Sequence, residues 1–222
     1  MAKQTCYMCE EIATTKEDVP PRCIFPEAKD VSTNYRKSLI KVPSCIAHNT
    51  KKSKDDEYLM LVLTCNIDNN NVAMRQINTK IQRALERKPT LANLLLRDTK
   101  PILARGMSTE AFKVDHNRFK RSMDWMVRGL YYNQHKKKWS AKLYIQPTNI
   151  LIGDGNDELK PSQEWIDAGI KVNQDLSDIP KIGENPDVFW YQMRHDKHEE
   201  LLINMMFFGG FQVLALSKPG MA

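Results

Sequence analysis

Apolar positions follow several different periods along this chain, and each period predicts an element. Residues 15–22 and 38–43 are short segments bounded by polar or proline-rich sequence and read as strands. Ser53-Lys54-Asp55-Asp56 then precedes the apolar run Leu59-Met60-Leu61-Val62-Leu63. With Ser53 as N-cap and Asp56 at the third helical position, the pattern predicts a capping box and a helix reaching about Cys65. Asp68 to Asn71 is a polar break that fits a linker or turn. Val72, Ile77, Ile81, Ala84 and Leu85 mark a helical stripe over 72–87, with Lys80, Arg83 and Arg87 on another face. A second helix follows Pro89-Thr90 through Leu91, Leu94, Leu95 and Arg97. The third stripe has the strongest period: Phe119, Met123, Met126, Val127, Leu130 and Tyr131 recur at i, i+4, i+7, i+8, i+11 and i+12. Arg118, Arg121 and Arg128 occupy its polar side.

After Trp139 the pattern changes to shorter segments. Strands are expected over 141–146 and 149–152, a short helix over 161–170, and a closing hairpin from 188–194 and 201–216. Gly153-Asp154-Gly155-Asn156-Asp157 reads as a turn, because no glutamate follows at calcium-loop spacing. His195 and His198 flank Asp196 and read as surface residues. The succession of helices and short strands predicts an α+β protein, with a small amino-terminal unit over 1–66 and a body over 67–222 that is first basic and helical, then mixed.

Charge sharpens that division. Residues 72–142 hold seventeen Lys and Arg against five Asp and Glu, a net of +12, whereas residues 143–222 hold six against twelve, a net of −6. A cationic middle favours phosphate contact, with DNA or RNA as the partner, and a bland solvated face as the alternative. Trp125, Tyr131, Tyr132 and Trp139 lie in the same region, where helical spacing favours core packing over base stacking. No stretch approaches the roughly 18 consecutive apolar residues of a membrane span, and the first residues lack a signal-peptide core, so the cytoplasm is the expected location and no membrane partner is expected.

The five cysteines are an odd count, which argues against a disulfide framework. Cys6 and Cys9 form one pair at two-residue spacing, and Cys45 and His48 another. Two such turns supply four tetrahedral donors, so a closed structural zinc site is predicted on Cys6, Cys9, Cys45 and His48. Cys65 reads as a buried thiol, and Cys23 as core or a spare ligand.

Around these pairs lie Lys16-Glu17-Asp18-Val19-Pro20-Pro21 and Val42-Pro43-Ser44-Cys45-Ile46-Ala47-His48-Asn49-Thr50-Lys51-Lys52-Ser53, and here the chain resembles the HNH endonuclease family. The resemblance covers about the first 66 residues. It implies a zinc-stapled ββα-metal finger packed on the helical and β-hairpin body. It also implies metal-dependent cleavage of phosphodiester bonds, with Glu17 and Asn49 as ligands of a catalytic Mg²⁺ or Mn²⁺, in DNA or, as the alternative polymer, RNA. Lys51 and Lys52 would meet the substrate backbone, and Arg83, Arg87, Arg118, Arg121 and Arg128 would extend that surface. Two positions depart from the family pattern. Asp18 stands where the family keeps its general-base histidine, and Ser38 where it keeps a middle asparagine. An isolated aspartate titrates near 3.9 and is a weak base at neutral pH, and losing a general base costs on the order of a hundredfold to ten-thousandfold in rate. Asp18 could instead join Glu17 on the metal. Two further readings follow: a catalytically silent nucleic-acid-binding or adaptor protein, and a subunit of a phage-defence complex whose acidic carboxy-terminal half binds a protein partner.

Overall fold

The computed structural model describes residues 4–104, 106–152, 160–196, 198 and 200–217. The 153–157 turn expected from sequence lies outside them, as do the side chains of Lys51 and of Leu94 and Leu95.

Strand β1 (Thr15–Asp18) pairs antiparallel with β2 (Lys41–Ser44), placing Glu17 opposite Val42 and Asp18 opposite Lys41. Both strands are shorter than, or offset from, the sequence expectation. Pro20 and Pro21 cannot donate to a ladder and stop β1 early, and Ser38, at φ 55°, turns the chain before β2 begins. The Val19–Pro20 peptide is cis.

The chain is already helical before Ser53. A single turn α1 (Ile46–Asn49) passes through a 3-10 turn (Thr50–Lys52) into α2 (Ser53–Thr64). Ser53 is therefore inside the helical path, Lys52 takes the cap position, and the expected capping box does not form. Every residue from Tyr58 to Thr64 is buried, so the carboxy-terminal half of α2 is covered on all sides, while its first turns are polar.

The 68–71 break is anchored rather than loose. Asn70 caps α3 (Asn71–Gln76) by accepting from the backbone N–H groups of Val72 and Ala73, while its own N–H and side-chain amide donate to the carbonyls of Phe208 and Asp187. A π turn (Ile77–Ile81) joins α3 to α4 (Gln82–Arg87), and α5 (Pro89–Leu96) follows with proline at its start. The hairpin of β3 (Lys100–Ala104) and β4 (Met107–Ala111) has no counterpart in the sequence reading.

Helix α6 (His116–His135) buries the stripe predicted from its period and packs against a five-stranded antiparallel sheet. Its strands are β5 (Tyr144–Pro147), β8 (Ile182–Asn185), β9 (Phe189–His195), β10 (Leu201–Phe207) and β11 (Phe211–Ser217), in the order β5-β11-β10-β9-β8. Between β5 and β8 come the short pair β6 (Leu151–Ile152) and β7 (Lys160–Pro161), then α7 (Gln163–Asp175). The expected 201–216 segment is two strands, because Phe208 and Gly209 adopt positive φ and turn the chain. The protein is thus α+β, and one hydrophobic cluster runs from Cys6, Ile24 and Val42 through α2 and α6 to the sheet, across position 66.

Two features fix the amino-terminal unit on this body. Gly129 lets α6 approach the residue after β1 so closely that an added Cβ would stand 2.8 Å from Val19 Cγ2. Lys138, past the end of α6, donates to the Cys9 carbonyl at 2.7 Å and pairs with Glu10 at 2.9 Å.

His195 is not a free surface residue. Its ring packs edge-on against Tyr131, His135 and Trp139, at centroid distances of 5.3, 5.4 and 5.4 Å. The Nε2 atom of His135 is buried there and, among the described residues, has no hydrogen-bond partner. Burial first, then His195 and Lys137, hold the His135 imidazole below its ordinary value. An unfolded chain takes up this proton near 6.5 while the folded chain resists it, so stability is complete above that pH and falls as pH drops toward the lowered folded value. Between pH 7.5 and 5.5 the melting temperature of His135→Phe is expected to fall less than that of the parent, as followed by circular dichroism. An equal fall would remove His135 from the account.

Candidate metal centre and adjoining cavity

The first pair of donors sits on a small knuckle: the Cys6 N–H donates to the Glu11 carbonyl at 2.8 Å and the Ala13 N–H to the Gln4 carbonyl at 2.9 Å. The Tyr7 N–H, donating to the Pro43 carbonyl at 2.8 Å, seats this knuckle against β2. Cys45 occupies the cap position of α1 and His48 lies one turn on, so the second pair shares a helical turn. The four ligand atoms all lie within 4.8 Å of one another. His48 Nδ1 stands 3.6, 3.5 and 3.3 Å from the sulfurs of Cys6, Cys9 and Cys45, and the Cys9 and Cys45 sulfurs are 3.9 Å apart. Tetrahedral zinc, with bonds of about 2.3 Å to sulfur and about 2.0 Å to nitrogen, sets its donors roughly 3.5–3.8 Å apart. The cluster therefore fits a metal ion such as zinc. Burial opposes the Cys6 thiolate, but N–H groups of Met8, Cys45 and Cys9 outweigh it and hold this thiol below its usual value, which favours a metal-binding sulfur. The remaining cysteines stand apart. Burial pushes Cys23 up to about 12 and Cys65 up to about 11, and the Cys23 thiol donates to the Asp56 carbonyl at 3.3 Å, as expected of inert core thiols.

Beside this centre lies a cavity of about 300 Å³. Glu17 and Asp18 reach it from β1, Asn49 from the end of α1, and Asp56 and Glu57 from α2. The three residues expected to form the catalytic set thus line one space. The Asn49 amide nitrogen donates to Thr15 Oγ1 at 2.9 Å and to the Lys16 carbonyl at 3.2 Å, so its oxygen is the end it offers to a cation. Asp18 pairs with Lys41 across the strand ladder at 2.5 Å. Glu17 is 4% exposed, and Lys52 Nζ meets its Oε1 at 2.6 Å. The same ammonium stands 3.3 Å from Asp56 Oδ1. Burial raises the Glu17 carboxyl to about 7 against the pull of Lys52, and raises Asp56 in the same way. Ion pairing and desolvation therefore oppose each other at these two carboxyls.

The basic residues assigned to a substrate surface have other partners. Lys52 is 5% exposed, does not line the cavity, and is paired with Glu17 and Asp56. Arg83 forks onto Asp30 at 2.8 and 2.7 Å. Arg118 meets Asp55 at 2.7 Å and the Lys54 carbonyl at 2.6 Å, with its guanidinium over the Tyr58 ring. Arg121 reaches the same Asp55 at 3.2 Å. Arg128 binds Asp124 at 2.7 Å and the carbonyls of Trp139 and Ala141. These arginines brace helices to their neighbours; Arg87 is exposed and, among the described residues, has no ion pair. The sequence places Asp56 in the helix cap, whose acids lie near Asn49 and the expected metal, but does not assign it to the ligand set. A further signal is Lys52 four residues before it, a spacing that places both on one helical face.

No helix among the described residues is long and apolar enough to cross a membrane. No protein-family model matches the chain, and no curated protein or solved structure matches it.

Proposed function

We propose that this protein is an HNH-type, metal-dependent nuclease acting on DNA phosphodiester bonds, built on a zinc-stapled ββα-metal finger. The observation that carries this reading is the convergence of Glu17, Asp18 and Asn49 on one cavity beside the Cys6, Cys9, Cys45 and His48 cluster. Strand, strand and helix follow one another in the order such a finger requires, and the cysteine pairs sit at the ends that a metal would join. Glu17 and Asn49 offer hard oxygen donors, which suit Mg²⁺ or Mn²⁺ over a second zinc. A divalent ion there supplies Lewis-acid charge to the scissile phosphate. Asp18, next to Glu17 and on the cavity wall, stands where the resembled family keeps its general-base histidine and would act only as a weak base toward attacking water.

The ion pairs of Asp18 with Lys41 and of Glu17 with Lys52 favour a second reading, a nucleic-acid-binding or adaptor protein that keeps the scaffold without the chemistry. Incubating zinc-loaded protein with supercoiled plasmid and Mg²⁺ or Mn²⁺ separates the two. Nicking that disappears in Glu17→Ala and Asn49→Ala supports the nuclease. An intact plasmid under conditions where Mn²⁺ binding is measured supports the adaptor.

A further inference from the structure

Lys52 poses a physical problem that the nuclease reading leaves open. A lysine carries a strongly hydrated charge and is rarely buried without compensation. Here its side chain is 6% exposed, and its ammonium is held between Glu17 Oε1 at 2.6 Å and Asp56 Oδ1 at 3.3 Å. Those carboxylates come from β1 and α2, and both line the cavity that Lys52 itself does not line. Two carboxylates this close repel each other in a desolvated setting, and a cation between them removes that repulsion. A divalent ion accepting oxygen from the same two groups would do so as well. It could not do so with the ammonium still in contact, because two cations at such separation in a poorly hydrated site repel by several kcal/mol even at an effective dielectric of about 20.

We infer that Lys52 is a tethered counter-ion of the Glu17–Asp56 pair, that Asp56 is a further oxygen donor to the divalent cation, and that the cation binds only by displacing the Lys52 ammonium. This rests on the metal-dependent reading of the cavity. The flexible four-carbon stem of lysine makes displacement feasible without moving the backbone of the 3-10 turn. The consequence is reciprocal: what Lys52 adds to the stability of the metal-free protein it takes from metal affinity. The device makes occupancy depend on ion concentration and keeps the carboxylates paired in its absence.

The test is Mn²⁺ titration by calorimetry at pH 7.5 into zinc-loaded parent, Lys52→Gln, Lys52→Arg and Asp56→Asn proteins, with melting curves for each. Lys52→Gln is expected to bind Mn²⁺ at least about tenfold tighter than the parent and to melt lower without Mn²⁺ but not with it. Lys52→Arg, which keeps the charge, should bind no tighter than the parent. Asp56→Asn should bind at least about tenfold more weakly. If Lys52→Gln is unfolded without metal, recovery of the parent circular dichroism on adding Mn²⁺ supports the inference and failure to recover overturns it. Equal or weaker binding by Lys52→Gln overturns the counter-ion role, and undiminished binding by Asp56→Asn overturns its role as donor. Absence of Mn²⁺ binding in all four proteins instead removes the metal-dependent reading of the cavity, and this inference with it.

Discussion

Replacing Cys45 by serine is expected to empty the sulfur cluster of metal and to unfold the amino-terminal unit. Structural zinc contributes on the order of 10–16 kcal/mol of apparent binding energy, which is comparable to the whole stability of an ordinary domain. The strands it would join are four residues each, and the knuckle carrying Cys6 and Cys9 is held otherwise by a few backbone bonds. The damage should spread beyond the ligands, because Cys6, Tyr7 and Cys45 belong to the same hydrophobic cluster as α2 and α6. Metal analysis of the purified parent should give one zinc per chain, and Cys45→Ser should give little or none, with a much lower melting temperature. A zinc-free parent that melts as cooperatively and as high as the metal-loaded protein would refute a structural role for the cluster.

Asp18→His is expected to raise plasmid cleavage by on the order of a hundredfold or more, the usual worth of a general base. The cavity already supplies Glu17 and Asn49, so the substitution adds an imidazole where only a carboxylate now stands. The cost to folding should be small. The pair that is lost, Asp18 with Lys41, involves a lysine side chain that is 53% exposed, and ion pairs of that kind contribute about 0–1 kcal/mol. Glu17→Ala in the Asp18→His background should abolish the gain, since the oxygen donor would be gone. Unchanged activity in Asp18→His, with Mn²⁺ binding intact, would return the protein to the adaptor reading.

What the sequence determined by itself was whatever depends on neighbours a few residues apart. The spacing of Cys6 to Cys9 and of Cys45 to His48 gathers each pair on one turn, and the structure brings the two turns together. The stripe from Phe119 to Tyr131 becomes the buried face of α6, because a period near 3.6 keeps apolar side chains on one side whatever they meet. The apolar run of α2 has no such period and is buried because neighbours cover every side of it, and its helix starts earlier than the sequence predicts, since α1 and the 3-10 turn make the chain helical before Ser53. Tertiary structure alone decided the fate of the charges. Arg118 and Asp55 are 63 residues apart, and Arg83 and Asp30 are 53 apart, so nothing local distinguishes a bracing arginine from one awaiting phosphate. The hairpin of β3 and β4 and the edge strand β8 escaped for a related reason: strands are defined by pairing with a partner, and segments of four or five residues carry little signal until that partner is in place. Lys52 shows the difference most directly. In the sequence it is one more cation in a basic stretch, and only the approach of β1 to α2 turns it inward, where two carboxylates face its ammonium in place of water.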